Sequence, residues 1–230
     1  MTLKSNRTLI IPAAGTASRL RGLPKFLLPT HTNKETLIER HIAHLRHFFD
    51  EILIGINPDF SRILSSVVSE DHQIKKYELS TNTMMETVVQ LAGKSLNDNF
   101  VLVMPDTYFS DYSEIKNLLE KDMSHPSALI CWNIKDYQLG KLGQVYIDVA
   151  NHVMEIQDKN IDCPFKTFWG VAIFSRKNLL ESKDADSHVG FLFERLIKKG
   201  EIVMGYRVSG DYYDCGTQEE YITMLLNTKL

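Results

Sequence analysis

Apolar residues follow two rhythms along this chain of 230 residues. Residues 8–14, 51–56, 100–106 and 127–134 form short, almost unbroken apolar runs, the pattern of strands buried on both faces. Between them apolar positions return every three or four residues. In ETLIERHIAHLRHF, residues 35–48, these are Leu37, Ile38, Ile42, Leu45 and Phe48, which predicts a helix. Residues 58–69 (opened by Pro58), 84–93 and 113–122 predict further helices, and 74–79 a short strand. Strand and helix in alternation imply an α/β fold, a largely parallel sheet covered on both faces.

The rhythm changes after residue 135. GQVYIDVANHVMEI, residues 143–156, reads as two strands joined by a turn at Ala150, Asn151 and His152. Strands near 167–174 and 201–208, a helix over 187–199 and a closing helix from 217 follow. This second half is mixed and predicts a lid or wall added to the first. The stretch 157–165 reads as a mobile loop. No repeat, low-complexity tract or long linker divides the chain, so one domain over 1–230 is expected, with a break in character near 135.

Composition narrows the class. Apolar residues make up 43% and charged residues 24%, enough for a sizeable core. A net charge of −3 argues against a broad nucleic-acid-binding surface. Cys131, Cys163 and Cys215 lack C-x-x-C spacing, which suggests reduced thiols. No secretory signal or membrane-spanning run is visible, and a cytoplasmic protein without a membrane partner is expected.

Candidate chemistry begins after the first strand, in TLIIPAAGTASRLRGLPKFLLP, residues 8–29. Ligands bind open α/β sheets at the carboxyl ends of strands. Ala13, Ala14, Gly15 and Thr16 leave room for phosphates against backbone N–H groups. Arg19 offers a bidentate fork and Lys25 a compact charge aimed by Pro24. The loop reads either as a polyphosphate cradle or as a strand–helix connector with two solvated cations. It matches neither the dinucleotide fingerprint nor the P-loop pattern.

PAAGTASRLRGLPKFLLP resembles the signature of sugar-phosphate nucleotidylyltransferases, A-A-G-x-G-T-R-(L/M) followed by P-K-x-L-L-P. ETLIERHIAHL, FDEILIGIN and YYDCGTQEEY (similar to W-x-D-x-G-T-x-x-E-Y) extend the resemblance in family order over nearly the whole chain. Ala17 and Ser18 stand where the family has glycine and threonine. The resemblance implies a Rossmann-like, GT-A-like nucleotidyltransferase fold with a nucleotide-binding half to about 135 and an acceptor-binding half beyond. It implies Mg²⁺ held by Asp106 and Asp214, Arg19 on the β- and γ-phosphates, and Lys25 on the α-phosphoryl group. From the residues alone, Asp106 could equally be a cap or turn former, and Asp214 could structure the turn before a helix capped by Thr217.

For the acceptor, the resemblance aligns Lys159 with the lysine of an E-K-P motif, with Asp158 at its glutamate and Asn160 at its proline. Gly143 and Gly170 match glycines beside the acceptor pocket, and Trp169 offers an apolar wall. Read alone, these are a charged turn, strand glycines and a core aromatic. STNTMMETVVQ, residues 80–90, occupies the base-reading region, where Thr83, Glu86 and Thr87 offer hydrogen bonds. The alternative there is a capped helix with Met84 and Met85 packed inward. His41, His44 and His47 lack a zinc-protease carboxylate pattern, and Cys215 reads as a small buried residue.

The implied reaction joins a nucleoside triphosphate to a sugar 1-phosphate or similar phosphorylated acceptor and releases pyrophosphate. The alternatives are a cytidylyltransferase acting on a non-sugar phosphate such as phosphocholine, and a silent nucleotide-sensing regulatory subunit. A metal-dependent glycosyltransferase would show D-x-D, whereas the chain has Asp106-Thr107-Tyr108. So few residues follow YYDCGT that no β-helix acyltransferase domain is expected. Base, acceptor and homo-oligomeric state stay open.

Overall fold

The computed structural model describes residues 6–17, 20, 22–31, 35–121 and 126–228. Its elements run β1 (Arg7–Ala13), α1 (Leu37–Leu45), β2 (Glu51–Ile56), α2 (Ser61–Val67), β3 (Ile74–Glu78), α3 (Met84–Lys94), β4 (Asn99–Val103), β5 (Thr107–Phe109), α4 (Ser113–Glu120) and β6 (Ala128–Asn133). There follow β7 (Gly143–Ile147), β8 (Val153–Asp158), β9 (Thr167–Ser175), α5 (Arg176–Leu179), α6 (Gly190–Lys198), β10 (Met204–Arg207), β11 (Tyr212–Asp214) and α7 (Gln218–Asn227). Threonines start three of the helices. The side chains of Thr36, Thr83 and Thr217 accept from the N–H groups of Glu39, Glu86 and Glu220, satisfying donors the helices cannot.

Among the described residues the main sheet has strand order β10-β6-β9-β4-β1-β2-β3, with β7 and β8 attached beside β9. β1 pairs in parallel with β2 and β4, as do β2 with β3 and β10 with β6. Period-two alternation sends Leu9, Ile11 and Ala13 into one core, beneath α1, α2 and α4. Ile10 and Ala14 enter the other, beneath α3 and α6. The sheet is thus covered on both faces, as the apolar runs predict.

The second half does more than cover the first. β9 lies between β4 and β6, antiparallel to both, in the middle of the sheet. β4 stops at Val103, short of the predicted 106, and β10 starts at Met204 rather than 201. Of the expected loop 157–165, the first two residues belong to β8. The antiparallel pair β5–β11 was not predicted, because three residues per strand leave no readable period.

This topology gathers one edge. β1 and β4 run in parallel and end there at Ala13 and Val103. β9, pairing Val171 with Val103, brings Thr167–Gly170 to the same edge. β7 and β8 add Gly143 and Asp158, which face each other in register.

Candidate active site

The loop leaving β1 opens onto a cavity of about 330 Å³ lined by Ala13, Ala14, Gly15 and Thr16, with Lys25, Thr83, Thr87 and Asp106. A Cβ added at Gly15 would touch nothing within 4 Å, so its absence leaves the cavity wider and the backbone open to approach. The unusual backbone angle falls instead on Ala17, with φ +54°. Its carbonyl accepts from Leu20 N at 3.2 Å and Gly22 N at 3.1 Å, closing the loop. The position where the resemblance has glycine therefore does use the left-handed region, at a cost of about 1 kcal/mol for alanine. Arg19 lies outside the described residues.

Lys25 follows Pro24, whose φ of −63° and extended ψ turn the chain into a short 3-10 segment, Lys25–Leu27. Lys25 Nζ lies 3.0 Å from Asp106 Oδ2, and each side chain is 18% exposed. Two residues 81 positions apart thus meet at the cavity. Asp106 sits on the turn between β4 and β5 rather than at a strand end.

Asp214 arrives through the unpredicted strand pair. Thr107 and Asp214 are partners in the β5–β11 register, and Cys215 N donates to Asp106 O at 2.8 Å. Burial pushes the Asp214 carboxyl well above the usual carboxylate range, and the charges of Asp106 and Glu220 push it further. Lys25 pulls the other way. Burial raises the Cys215 thiol too, so it stays protonated, in keeping with its reading as a small buried residue. Among the described residues no three His, Cys, Asp or Glu side chains form a metal site. Mg²⁺ commonly takes one or two carboxylates and completes its shell with water and substrate phosphates. Two crowded carboxylates, with Lys25 as their neighbouring cation, fit that ion.

In the base-reading region, Thr83 caps α3, and Glu86 accepts from Asn82 N at 2.9 Å. Glu86 braces the cap and is not among the residues that line the cavity. Thr87 is buried, with its hydroxyl 2.6 Å from that of Thr81. Thr81, Asn82 and Met104 line the cavity and were not anticipated, although a polar cluster before a helix cap is a usable signal.

The acceptor candidates cluster at the end of β8. Lys159 has φ +50°, a left-handed angle that a lysine tolerates only when its surroundings fix it, and its N–H donates to Leu142 O at 3.1 Å. Asp158 Oδ2 lies 3.1 Å from His188 Nε2, and this close pairing holds the Asp158 carboxyl below the usual range. Gly190 N donates to His188 Nδ1 at 3.0 Å, leaving the ring's N–H on Nε2, toward Asp158. His188 was missed, because nothing in sequence spacing connects it to Asp158. Ser187 O accepts from Met84 N at 3.2 Å, tying this group to the cavity wall. A Cβ on Gly143 would stand 2.4 Å from Trp169 Nε1, so that glycine seats the indole edge. Around Gly170 the same space belongs to Tyr212 and Trp132. Gly170 thus has a packing role of its own, beside two core rings.

Comparison with known proteins matches this geometry. The family profile of the MobA-like NTP transferase domain matches residues 9–174. No curated protein sequence matches the chain significantly. Among solved structures, a protein assigned as a glucose-1-phosphate thymidylyltransferase of Bacillus anthracis, in complex with a sucrose, superposes with a TM-score of 0.82. It has 17% identity over 96% of this chain and 95% of that one. A UDP-glucose pyrophosphorylase complexed with UDP-glucose gives 0.77 at 16% identity, covering 96% and 97% of the two chains. A UTP-bound UGPase of Acinetobacter baumannii gives 0.75 at 14%, covering 96% and 92%. These likenesses establish the fold. With the profile spanning the β1 loop, Lys25, Asp106 and the strands that gather them, the chain belongs to the MobA-like NTP transferase domain family and is a nucleotidyltransferase.

Proposed function

We propose that the protein transfers a nucleotidyl group from a nucleoside triphosphate to a sugar 1-phosphate, with Mg²⁺, releasing pyrophosphate. The observation that carries this is the meeting of Lys25 and Asp106 at a cavity floored by the Ala13–Ala14–Gly15–Thr16 backbone, with Asp214 paired behind. The acceptor phosphate is already anionic, so no general base is needed. The protein's task is to offset anion–anion repulsion and align the reactants. Lys25 would hold the α-phosphoryl group, Arg19 the outer phosphates and Lys159 the acceptor phosphate. Asp106 and Asp214 would hold Mg²⁺, which when bound neutralises phosphate charge and polarises the phosphoryl group.

A sugar is favoured over phosphocholine by the state of Asp158. With one oxygen already against His188 Nε2 at 3.1 Å, this carboxylate would accept a sugar hydroxyl on the other. The Trp169 edge is seated on Gly143, rather than presented as part of an aromatic cage.

Pyrophosphate release from UTP, dTTP, CTP, ATP and GTP, each against sugar 1-phosphates and phosphocholine, tests the reading. Release with a sugar 1-phosphate is expected, and Lys25→Ala should lower its kcat by roughly 100-fold or more with the fold intact. Triphosphate binding without release would favour a silent sensor, and release with phosphocholine alone would overturn the choice of acceptor.

A further inference from the structure

Behind the charged cavity lies a buried polar chain that the proposed reaction does not use. His41 on α1, Thr107 on β5 and Tyr112 are all buried. Thr107 Oγ1 donates to Met104 O at 2.9 Å, closing the turn that carries Asp106. That hydroxyl has spent its hydrogen, so the 3.2 Å contact with His41 Nε2 needs the ring's N–H there. His41 Nδ1 then accepts from Tyr112 O–H at 2.7 Å. Burial lowers the His41 pKa to about 3, keeping the ring neutral with the one donor and one acceptor this chain requires.

The location of the chain gives it a consequence. Thr107 follows Asp106 and is the register partner of Asp214, so its position sets both carboxylates. α1 is tied to the segment after Lys25, where Leu37 N donates to Leu28 O at 3.0 Å and Pro29 bridges Thr36. Arg40, beside His41, adds a hydrogen bond to Phe109 O at 3.3 Å and stacks over Tyr108, 4.6 Å from its centroid. Two adjacent residues of α1 therefore grip β5. We infer that the His41–Thr107 hydrogen bond is a positioning contact that holds the lysine-bearing segment and the two aspartates at their working separation. His41 and Thr107 touch no reactant themselves; they act through Asp106 and Asp214. The inference rests on the proposed role of those aspartates.

The test compares wild type with Thr107→Val, which keeps the shape and loses the hydroxyl, and Thr107→Ser, which keeps the hydroxyl. Mn²⁺ binding is followed by electron paramagnetic resonance in the presence of each of the five triphosphates, alongside kcat and Tm. Thr107→Val is expected to bind Mn²⁺ about 10-fold to 100-fold more weakly and to lose kcat in similar measure, as supporting residues of metal sites do. Thr107→Ser should stay within about 3-fold of wild type, as the retained hydroxyl dictates. A Thr107→Val protein with wild-type Mn²⁺ affinity and kcat but a lowered Tm would reduce the contact to structure and overturn the inference alone. A wild-type protein binding no Mn²⁺ with any triphosphate would overturn the proposed function, and this inference with it.

Discussion

Asp214, ending β11 of the small sheet, and Asp158, ending β8 of the main sheet, are two aspartates with opposite surroundings. Asp158 is partly exposed and lies 3.1 Å from His188 Nε2, which holds its carboxyl below the usual range. Asp214 is enclosed beside Asp106 and Glu220, and its carboxyl is pushed up. One carboxylate already has a neutral imidazole against one of its oxygens. The other stands in a crowd of three carboxylates, Asp106, Asp214 and Glu220, beside Lys25. On the proposed function, the first would be a place that recognises the acceptor and the second a place completed by a cation.

Breaking the Asp214 side should have the largest effect. A raised carboxyl means the folded protein holds a proton that the unfolded chain has released. The stability deficit therefore grows as pH rises from the ordinary value of 3.8 toward the raised one. Asp214→Asn removes that deficit along with the ligand. Turnover should fall by more than about 100-fold. At pH 8 the metal-free variant should melt roughly 2–4 °C higher than wild type, the response to about 1 kcal/mol, with the gain shrinking toward pH 4. A lower Tm at pH 8 would show that Asp214 is not crowded.

The Asp158 side should respond differently. His188→Leu leaves the carboxylate without its partner, so the acceptor KM should rise about 10-fold with kcat and the Mg²⁺ requirement little changed. An unchanged KM would detach His188 from recognition. The smallest effect belongs to the loop. Ala17→Gly relieves the left-handed angle at some entropic cost, for a net gain of about 0.5 kcal/mol and a Tm about 2 °C higher. A falling Tm there would mean that the φ of +54° is well tolerated by alanine.

Much of this was legible in the chain. The apolar runs located β1, β2 and β6, and the threonine caps marked the starts of α3 and α7. The resemblance to the nucleotidylyltransferase signature singles out Lys25 and Asp106; the residues alone leave a solvated cation and a turn former open. What stayed hidden depends on contacts between distant segments. The β5–β11 pair is too short to show a period, and the insertion of β9 between β4 and β6 is a matter of topology. The partnership of His188 with Asp158 has no sequence spacing to betray it. His41 looked idle, because its work is done by two ring nitrogens inside the core. The packing of Gly170 against core rings and the bracing of the α3 cap by Glu86 stayed hidden for a related reason: neither shows until the neighbours are known.

The most direct measurement is the position of Mn²⁺ in an anomalous difference map, from crystals grown with the triphosphate that supports pyrophosphate release. A single strong peak should touch the carboxylates of Asp106 and Asp214 and the triphosphate together, with Lys25 Nζ against the α-phosphoryl oxygens. A peak that avoids either aspartate, or a lysine still paired with Asp106 beside a bound triphosphate, would contradict it.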